Sequence, residues 1–223
     1  MKINSIFQAI EGEGMGIGTP KVFIRTQGCM MNCVTCDTPE AQNPNKGKEM
    51  SVKQIINEVS KYKQKYITIT GGDPMEQNYS ELLELIKEIK RVNQNCHITL
   101  EVTGSDERDT MVDKIFNKVD FLSFDIKSPS SKSLTPFHKS SIGWSFKSQY
   151  KIVINDWKDY EFAKEMIKKY VMCKIILTPC WKVGKGLNKK FISELFDRVL
   201  KDNLRCKVII QQHKIVYGHK KNV

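Results

Sequence analysis

The chain has no apolar run approaching the roughly 18 residues that a membrane span takes. Its first residues, MKINSIFQAIEGEG, lack the basic-then-apolar layout of an export signal. A membrane or secreted protein is set aside on these grounds, and a cytoplasmic address with reduced thiols is the expectation. Arginine is scarce, five of 36 basic residues: Arg25, Arg91, Arg108, Arg198 and Arg205. Base readout and phosphate clamping favour the forked guanidinium. The net charge of +11 is therefore read as lysine-rich solvated helix faces, with no nucleic acid as partner. A weaker reading of the same charge is a positive field that draws in an anionic substrate and an acidic electron-donor protein. Internal repeats and low-complexity linkers are absent as well. With 223 residues, 40% of them hydrophobic, the chain is read as one soluble domain spanning residues 1–223, large enough to bury a core.

What the chain does have is an odd number of cysteines, seven, with three of them in eight residues: Cys29, Cys33 and Cys36. Such crowding suits a metal site better than a disulfide framework. Cys96, Cys173, Cys180 and Cys206 are scattered and read as buried, chemically quiet thiols. The triad lacks a fourth ligand. Zinc normally takes four, often as paired CxxC units; no second pair exists here, and His97 is distant in sequence. A [4Fe–4S] cluster held by four cysteines mainly passes electrons. Three thiolates leave one iron open to a small molecule, and this open catalytic cluster is the preferred reading over zinc or a plain electron-carrying cluster.

Apolar β-rich runs alternate with helix-period segments. Strands are expected at 22–26, 66–70, 97–103, 120–126, 149–154, 173–177 and 207–211. Helices are expected from Ser51 (a capping box with Gln54), around Leu82–Ile89 with Ser80 as cap, near 109–117, and at 158–169 and 189–201. This alternation predicts an α/β fold with a mostly parallel sheet and right-handed crossovers. In such a sheet the residues after strand C-termini meet on one rim, where ligands bind. Arg25 and the cysteines follow the first strand, and Thr70-Gly71-Gly72 follows the second. Glu101 to Gly104 ends the third, and Asp125-Ile126-Lys127 the fourth.

Gly71-Gly72-Asp73-Pro74 alone is only a turn, but its glycines let the backbone approach a ligand. After a cysteine loop, its backbone and acidic side chain become candidates for holding an amino group on the open iron. Glu11-Gly12-Glu13-Gly14 reads by default as a flexible, solvated loop before the first strand. His213, just past the last strand, reads by default as structural, and Trp144, Trp157 and Trp181 as packing residues.

CxxxCxxC followed by GGDP resembles the radical S-adenosylmethionine superfamily. A closer likeness, to the 7-carboxy-7-deazaguanine synthases, rests on Ile6-Phe7, Ile10 to Gly14, Phe23-Ile24-Arg25, Gly28-Cys29 and Cys36-Asp37-Thr38. It continues through Gly71 to Pro74, Lys127 to Lys132 and His213 to Gly218. The resemblance implies a partial, incomplete β/α barrel. It implies that Cys29, Cys33 and Cys36 hold the cluster. Thr35, Cys36, Asp37, Gly72, Glu101, Asp125, Ile126 and Lys127 would contact S-adenosylmethionine, and Thr38 would ligate Mg2+. Substrate contacts would fall to Ile10, Glu11, Gly12, Glu13, Arg25, Thr70, His213 and the Val223 carboxylate, with residues 1–20 as a substrate-contacting segment and 212–223 as a tail over the site. The implied reaction takes the C6 hydrogen of 6-carboxy-5,6,7,8-tetrahydropterin, contracts the ring with loss of ammonia and regenerates the cofactor, in queuosine or other 7-deazapurine synthesis. A flavodoxin or ferredoxin as electron donor and a homodimer are implied too. Two positions depart from the family: Glu11 replaces a usual glutamine, and Thr35 a usual aromatic residue. A glycyl-radical-enzyme activating protein shares the cysteine spacing, but leaves the Glu11–Arg25 segment and the tail unexplained.

Overall fold

In the computed structural model, which describes residues 1–104, 110–133, 139–182 and 186–223, the strand runs assemble into a single sheet. Its strands are β1 (Lys2–Ile10), β2 (Pro20–Thr26), β3 (Lys48–Glu49), β4 (Tyr66–Gly71), β5 (His97–Val102), β6 (Phe121–Ile126), β7 (Ser148–Ile154), β8 (Ile175–Pro179) and β9 (Lys207–Val208). The spatial order is β3-β1-β2-β4-β5-β6-β7-β8-β9. From β2 onward through β4 to β9 every pairing is parallel, while β1 lies antiparallel to both β2 and β3. The order ends in β3 and β9 without a closing pair among the described residues. The architecture is therefore an α/β partial barrel.

Helices α1 (Val52–Val59), α2 (Tyr79–Val92), α3 (Thr110–Lys118), α4 (Trp157–Lys169) and α5 (Lys189–Lys201) follow the strands, and α6 (Gln212–Tyr217) closes the chain. α1 forms because Ser51 and Gln54 exchange both capping bonds, and it buries Val52, Ile55 and Val59. α2 starts two residues earlier than expected: the Asn78 side chain accepts from the amides of Ser80 and Glu81, so Asn78 and not Ser80 is the cap. Asp156 caps α4 in the same way.

Strand parity divides the barrel into two chemistries, since alternate side chains leave a strand on opposite faces. Val22, Ile24, Ile67, Ile69, Ile98, Leu100, Leu122, Phe124, Tyr150, Ile152 and Leu177 join the helices' Leu82, Leu85, Ile86, Ile89, Ile115 and Tyr160 in the hydrophobic core. Each such fully buried aliphatic side chain stabilises the fold by roughly 1.5–3 kcal/mol. The opposite parity is polar. Arg25 pairs in register with Thr70, Glu101 with Ser123, Ser123 with Gln149 and Asp125 with Lys151. Thr68, Ser123, Gln149 and Lys151 are all buried.

Several expectations shift. β1 was not anticipated: polar residues interrupt its apolar ones, and its hydrogen bonds go to β2 from Ile3↔Thr26 to Ile10↔Pro20. β8 begins two residues later than expected, and β9 keeps only Lys207–Val208. Of the helix expected near 109–117, residue 109 lies outside the described residues; α3 runs Thr110–Lys118. Among the remaining cysteines only Cys173 is fully buried; Cys96, Cys180 and Cys206 are half-buried. Burial pushes all four thiols up, Cys206 to about 11, which keeps them protonated and quiet. No helix among the described residues is long and apolar enough to cross a membrane.

Candidate active site

The loop after β2 is pinned before it presents its cysteines. Gln27 donates to the carbonyls of Glu40 and Asn43, each at 2.8 Å. The Gly28 amide donates to Ala41 at 2.8 Å and that of Cys29 to Gln42 at 2.9 Å. These bonds close residues 28–42 into a compact loop. Val34 donates its amide to the Ser131 carbonyl at 3.0 Å, which ties the loop to the turn after β6. That turn is anchored by Asp159 of α4, whose carboxylate accepts from the Ser130 amide at 2.9 Å, the Ser130 hydroxyl at 2.5 Å and the Asn155 amide at 2.9 Å.

The GGDP turn packs directly on the cysteine loop. The Gly72 amide donates to Thr26 at 3.1 Å and the Asp73 amide to Gly28 at 2.8 Å. A Cβ on Gly72 would run into the Gly28 carbonyl, so only glycine permits this approach. The Asp73 side chain corrects an expectation. It turns inward and accepts from the Met75 amide (3.0 Å) and from the Thr103 amide (3.1 Å) and hydroxyl (2.5 Å). It builds the turn and is not among the residues facing the cavity.

That cavity, about 800 Å³, opens at the C-terminal rim of the parallel strands. Every residue that the family resemblance assigns to cluster, cofactor, Mg2+ or substrate lines it: Ile10, Glu11, Gly12, Glu13, Arg25, Cys29, Cys33, Thr35, Cys36, Asp37, Thr38, Thr70, Gly72, Glu101, Asp125, Ile126, Lys127, His213 and Val223. The Glu11–Gly14 segment is not the solvated loop of the default reading. Glu11 is 5% exposed, held by Lys21 at 3.1 Å. His213 is likewise at the cavity, packed so closely on Gly12 that any Cβ there would collide with its ring. Burial lowers the His213 pKa, so the imidazole is neutral near pH 7. Trp144 and Trp157 pack on aromatic neighbours as expected, whereas Trp181 reaches the cavity wall.

The donor set fits an iron–sulfur cluster. Burial pushes the Cys29 thiol up to about 11, against the pull of the Met31 amide and Lys127, and raises Cys36 against the Thr38 amide. Thiols so buried need a bound cation in place of their protons to become thiolates, which a metal cluster supplies. Among the described residues no three His, Cys, Asp or Glu side chains converge as a single metal ion requires. A cubane asks for no such convergence, because each thiolate takes a different iron.

Opposite the cysteines lies a network of charge. Lys151 donates to Glu13 at 3.0 Å and pairs with Glu101 at 3.5 Å. Burial opposes the Lys151 charge, but Glu101, Glu13 and Asp125 hold it well above the ordinary range. Thr70 donates to Glu101 at 2.8 Å, and Lys127 pairs with Asp125 at 2.7 Å. Gln211 donates to Glu13 at 3.2 Å. Arg25 stacks over the Phe7 ring at 5.5 Å and donates through Nη1 to the Thr38 hydroxyl at 2.7 Å. Its buried Nε has no hydrogen-bond partner among the described residues. The terminal segment closes one side: Lys214 lies 3.8 Å from Asp37 and Lys221 2.9 Å from Glu40. Lys21, Lys151 and Asp159 were not identified from sequence. The available signal for the two lysines was a charged side chain beside an apolar run, Lys21 before Val22-Phe23-Ile24 and Lys151 before Ile152-Val153-Ile154; Asp159 carried none.

Against known proteins, the Radical SAM superfamily matches residues 23–178. A 7-carboxy-7-deazaguanine synthase from Thermoplasma acidophilum is 30% identical over 220 residues, covering 98% of each chain. One from Methanospirillum hungatei is 28% identical, covering 97% of this chain and 85% of that one. The crystal structure of QueE from Escherichia coli matches with a TM-score of 0.69 at 20% identity, over 95% of this chain and 94% of that one.

Proposed function

Because the chain belongs to the 7-carboxy-7-deazaguanine synthase family of the radical S-adenosylmethionine superfamily, we propose how its own residues divide that family's reaction. The enzyme converts 6-carboxy-5,6,7,8-tetrahydropterin into 7-carboxy-7-deazaguanine, with ring contraction and loss of ammonia. The reading is carried by one observation: nineteen residues drawn from distant parts of the sequence line a single cavity.

Cys29, Cys33 and Cys36 would hold the [4Fe–4S] cluster, which when bound supplies the electron that splits S-adenosylmethionine into methionine and a 5′-deoxyadenosyl radical. Thr35, Asp37, Gly72, Ile126 and the charged groups of Glu101, Asp125 and Lys127 would bind the cofactor's polar groups. Arg25 suits the substrate carboxylate, because a guanidinium clamps a carboxylate through two N–H bonds and its Nε is unclaimed. Thr38 and the neighbouring Asp37 carboxylate, 3.0 Å from the Thr38 hydroxyl, are hard oxygen donors of the kind Mg2+ takes. Ile10 to Glu13, Thr70 and His213 would hold the pterin ring from the other side. The C-terminal segment 212–223, with Val223 at the wall, would exclude water from the radical, and the Val223 carboxylate would add a substrate contact.

The wider assignments form part of the same proposal. One domain spans residues 1–223, the protein is cytoplasmic and homodimeric, and an acidic flavodoxin or ferredoxin reduces it, drawn by the net positive charge. The test is anaerobic cluster reconstitution followed by incubation with reductant, Mg2+, S-adenosylmethionine and the carboxypterin. Mass spectrometry is expected to find a product lighter than the substrate by ammonia. Uncoupled 5′-deoxyadenosine with intact pterin would overturn the substrate assignment.

A further inference from the structure

Behind the substrate wall lies a sealed ion pair that cofactor and metal binding leave unused. Lys21 is 5% exposed and is not among the cavity-lining residues, whereas Glu11, in front of it, is. Its ammonium donates to Glu11 Oε2 at 3.1 Å and to the Thr68 hydroxyl at 3.3 Å. Gly16 closes the space: a Cβ there would stand 2.9 Å from Lys21 Nζ and 3.4 Å from Glu11 Cγ. The Glu11 backbone is fixed on both sides, its amide donating to Thr19 and its carbonyl accepting from Gly18, each at 2.8 Å. The second carboxylate oxygen, Oε1, accepts only a long 3.4 Å bond from the Glu13 amide among the described residues.

We propose that Lys21 is a positioning residue for pterin recognition: by anchoring Oε2 of Glu11 from behind, it presents Oε1 to the cavity as a fixed acceptor for the N–H groups of the substrate's guanine-like edge. The inference rests on the reading above that Glu11 contacts the pterin. It follows from the charges crowded around Glu11. Glu13 and Glu101 repel a carboxylate there, and burial disfavours one; Lys21 and Lys151 oppose them. Lys151 is engaged by Glu13 and Glu101, so Lys21 is the cation in direct contact with Glu11. A buried charge stripped of its partner is costly, whereas a neutral pair of similar volume is tolerated.

The test is a double-substitution cycle on the reconstituted enzyme: Lys21→Met, Glu11→Gln and both together. KM and kcat are read for the carboxypterin, and KM for S-adenosylmethionine. Lys21→Met is expected to lower kcat/KM for the pterin by at least about tenfold, chiefly through KM, and Glu11→Gln, which keeps a carbonyl acceptor and needs no buried cation behind it, by only about twofold to threefold. The KM for S-adenosylmethionine should stay within about twofold, and the double variant should recover most of the Lys21→Met loss. A Lys21→Met loss that Glu11→Gln does not rescue would mean Lys21 acts on the fold and not through Glu11, which overturns the proposal. If Glu11→Gln impairs pterin binding and Lys21→Met does not, the proposal falls while the Glu11 contact stands. If neither change moves the pterin KM, the contact reading itself is wrong.

Discussion

Asp159 shows how much a single side chain can organise without touching the cavity. Its carboxylate holds the turn after β6 through Ser130 and the end of β7 through Asn155. Through Ser131 the same turn holds Val34, inside the cysteine loop. Asp159→Ala leaves three donors without acceptors, and each buried unsatisfied group costs about 1–3 kcal/mol. The expected outcome is a destabilisation of about 2–4 kcal/mol in urea unfolding, with iron content after reconstitution reduced in proportion to the loosened loop. Glu11 makes the second residue-scale prediction. Burial first, then Glu101 and Glu13, push its carboxyl up to about 7 from an ordinary 4.5, against Lys21 and Lys151. A carboxyl raised in the folded state favours folding while protonated, so that contribution is complete below about 4.5 and is lost as pH rises through about 7. Activity moves the other way, because the ionised carboxylate is the stronger acceptor and turns no O–H towards the substrate's N–H groups. The pterin kcat/KM is expected to climb through a limb near pH 7 that Glu11→Gln abolishes; a limb that survives in the variant would assign it elsewhere.

At the level of elements, the hydrophobic side of the barrel was legible and the polar side mostly was not. Runs such as Tyr66-Ile67-Thr68-Ile69-Thr70 announce a strand, and Val52, Ile55 and Val59 announce the stripe of α1. Which face of each strand meets the helices is settled by pairing, and pairing is not local. The result is that Lys151 reads in sequence as a break in an apolar strand, yet it is the hub joining Glu13 to Glu101. β1 was missed because Asn4, Ser5 and Gln8 dilute its pattern. Its strand character comes from the partner β2, where every residue from Pro20 to Thr26 is matched, the register shifting only on the β1 side between Ile3 and Ser5. The cysteine loop and the GGDP turn were legible, because their chemistry is carried by spacing. The role of Asp73 was not, since its partner Thr103 lies 30 residues away. The hub is testable: Lys151→Met removes the cation between two largely buried carboxylates and is expected to cost about 3 kcal/mol, read as a lower urea midpoint, with pterin turnover lost alongside. A midpoint unchanged within error would show that Glu13 and Glu101 are neutral or otherwise paired.

The whole molecule is a vessel with a polar interior and an apolar layer between sheet and helices, its cavity edged by the Ile10–Glu13 turn and by residues near the C-terminus. Its cavity wall combines the cysteine loop, the ends of six parallel strands, the Ile10–Glu13 turn and residues from His213 to Val223. This arrangement explains why distant motifs belong to one reaction: the parallel sheet delivers every strand C-terminus to the same place. The central claim is that Cys29, Cys33 and Cys36 anchor a cluster with one iron left for S-adenosylmethionine. Electron paramagnetic resonance of the anaerobically reconstituted, dithionite-reduced protein tests it most directly. The account predicts a reduced [4Fe–4S] signal whose g-values change when S-adenosylmethionine is added, and which is lost in Cys33→Ala. A signal indifferent to S-adenosylmethionine, or one that persists without Cys33, would contradict it.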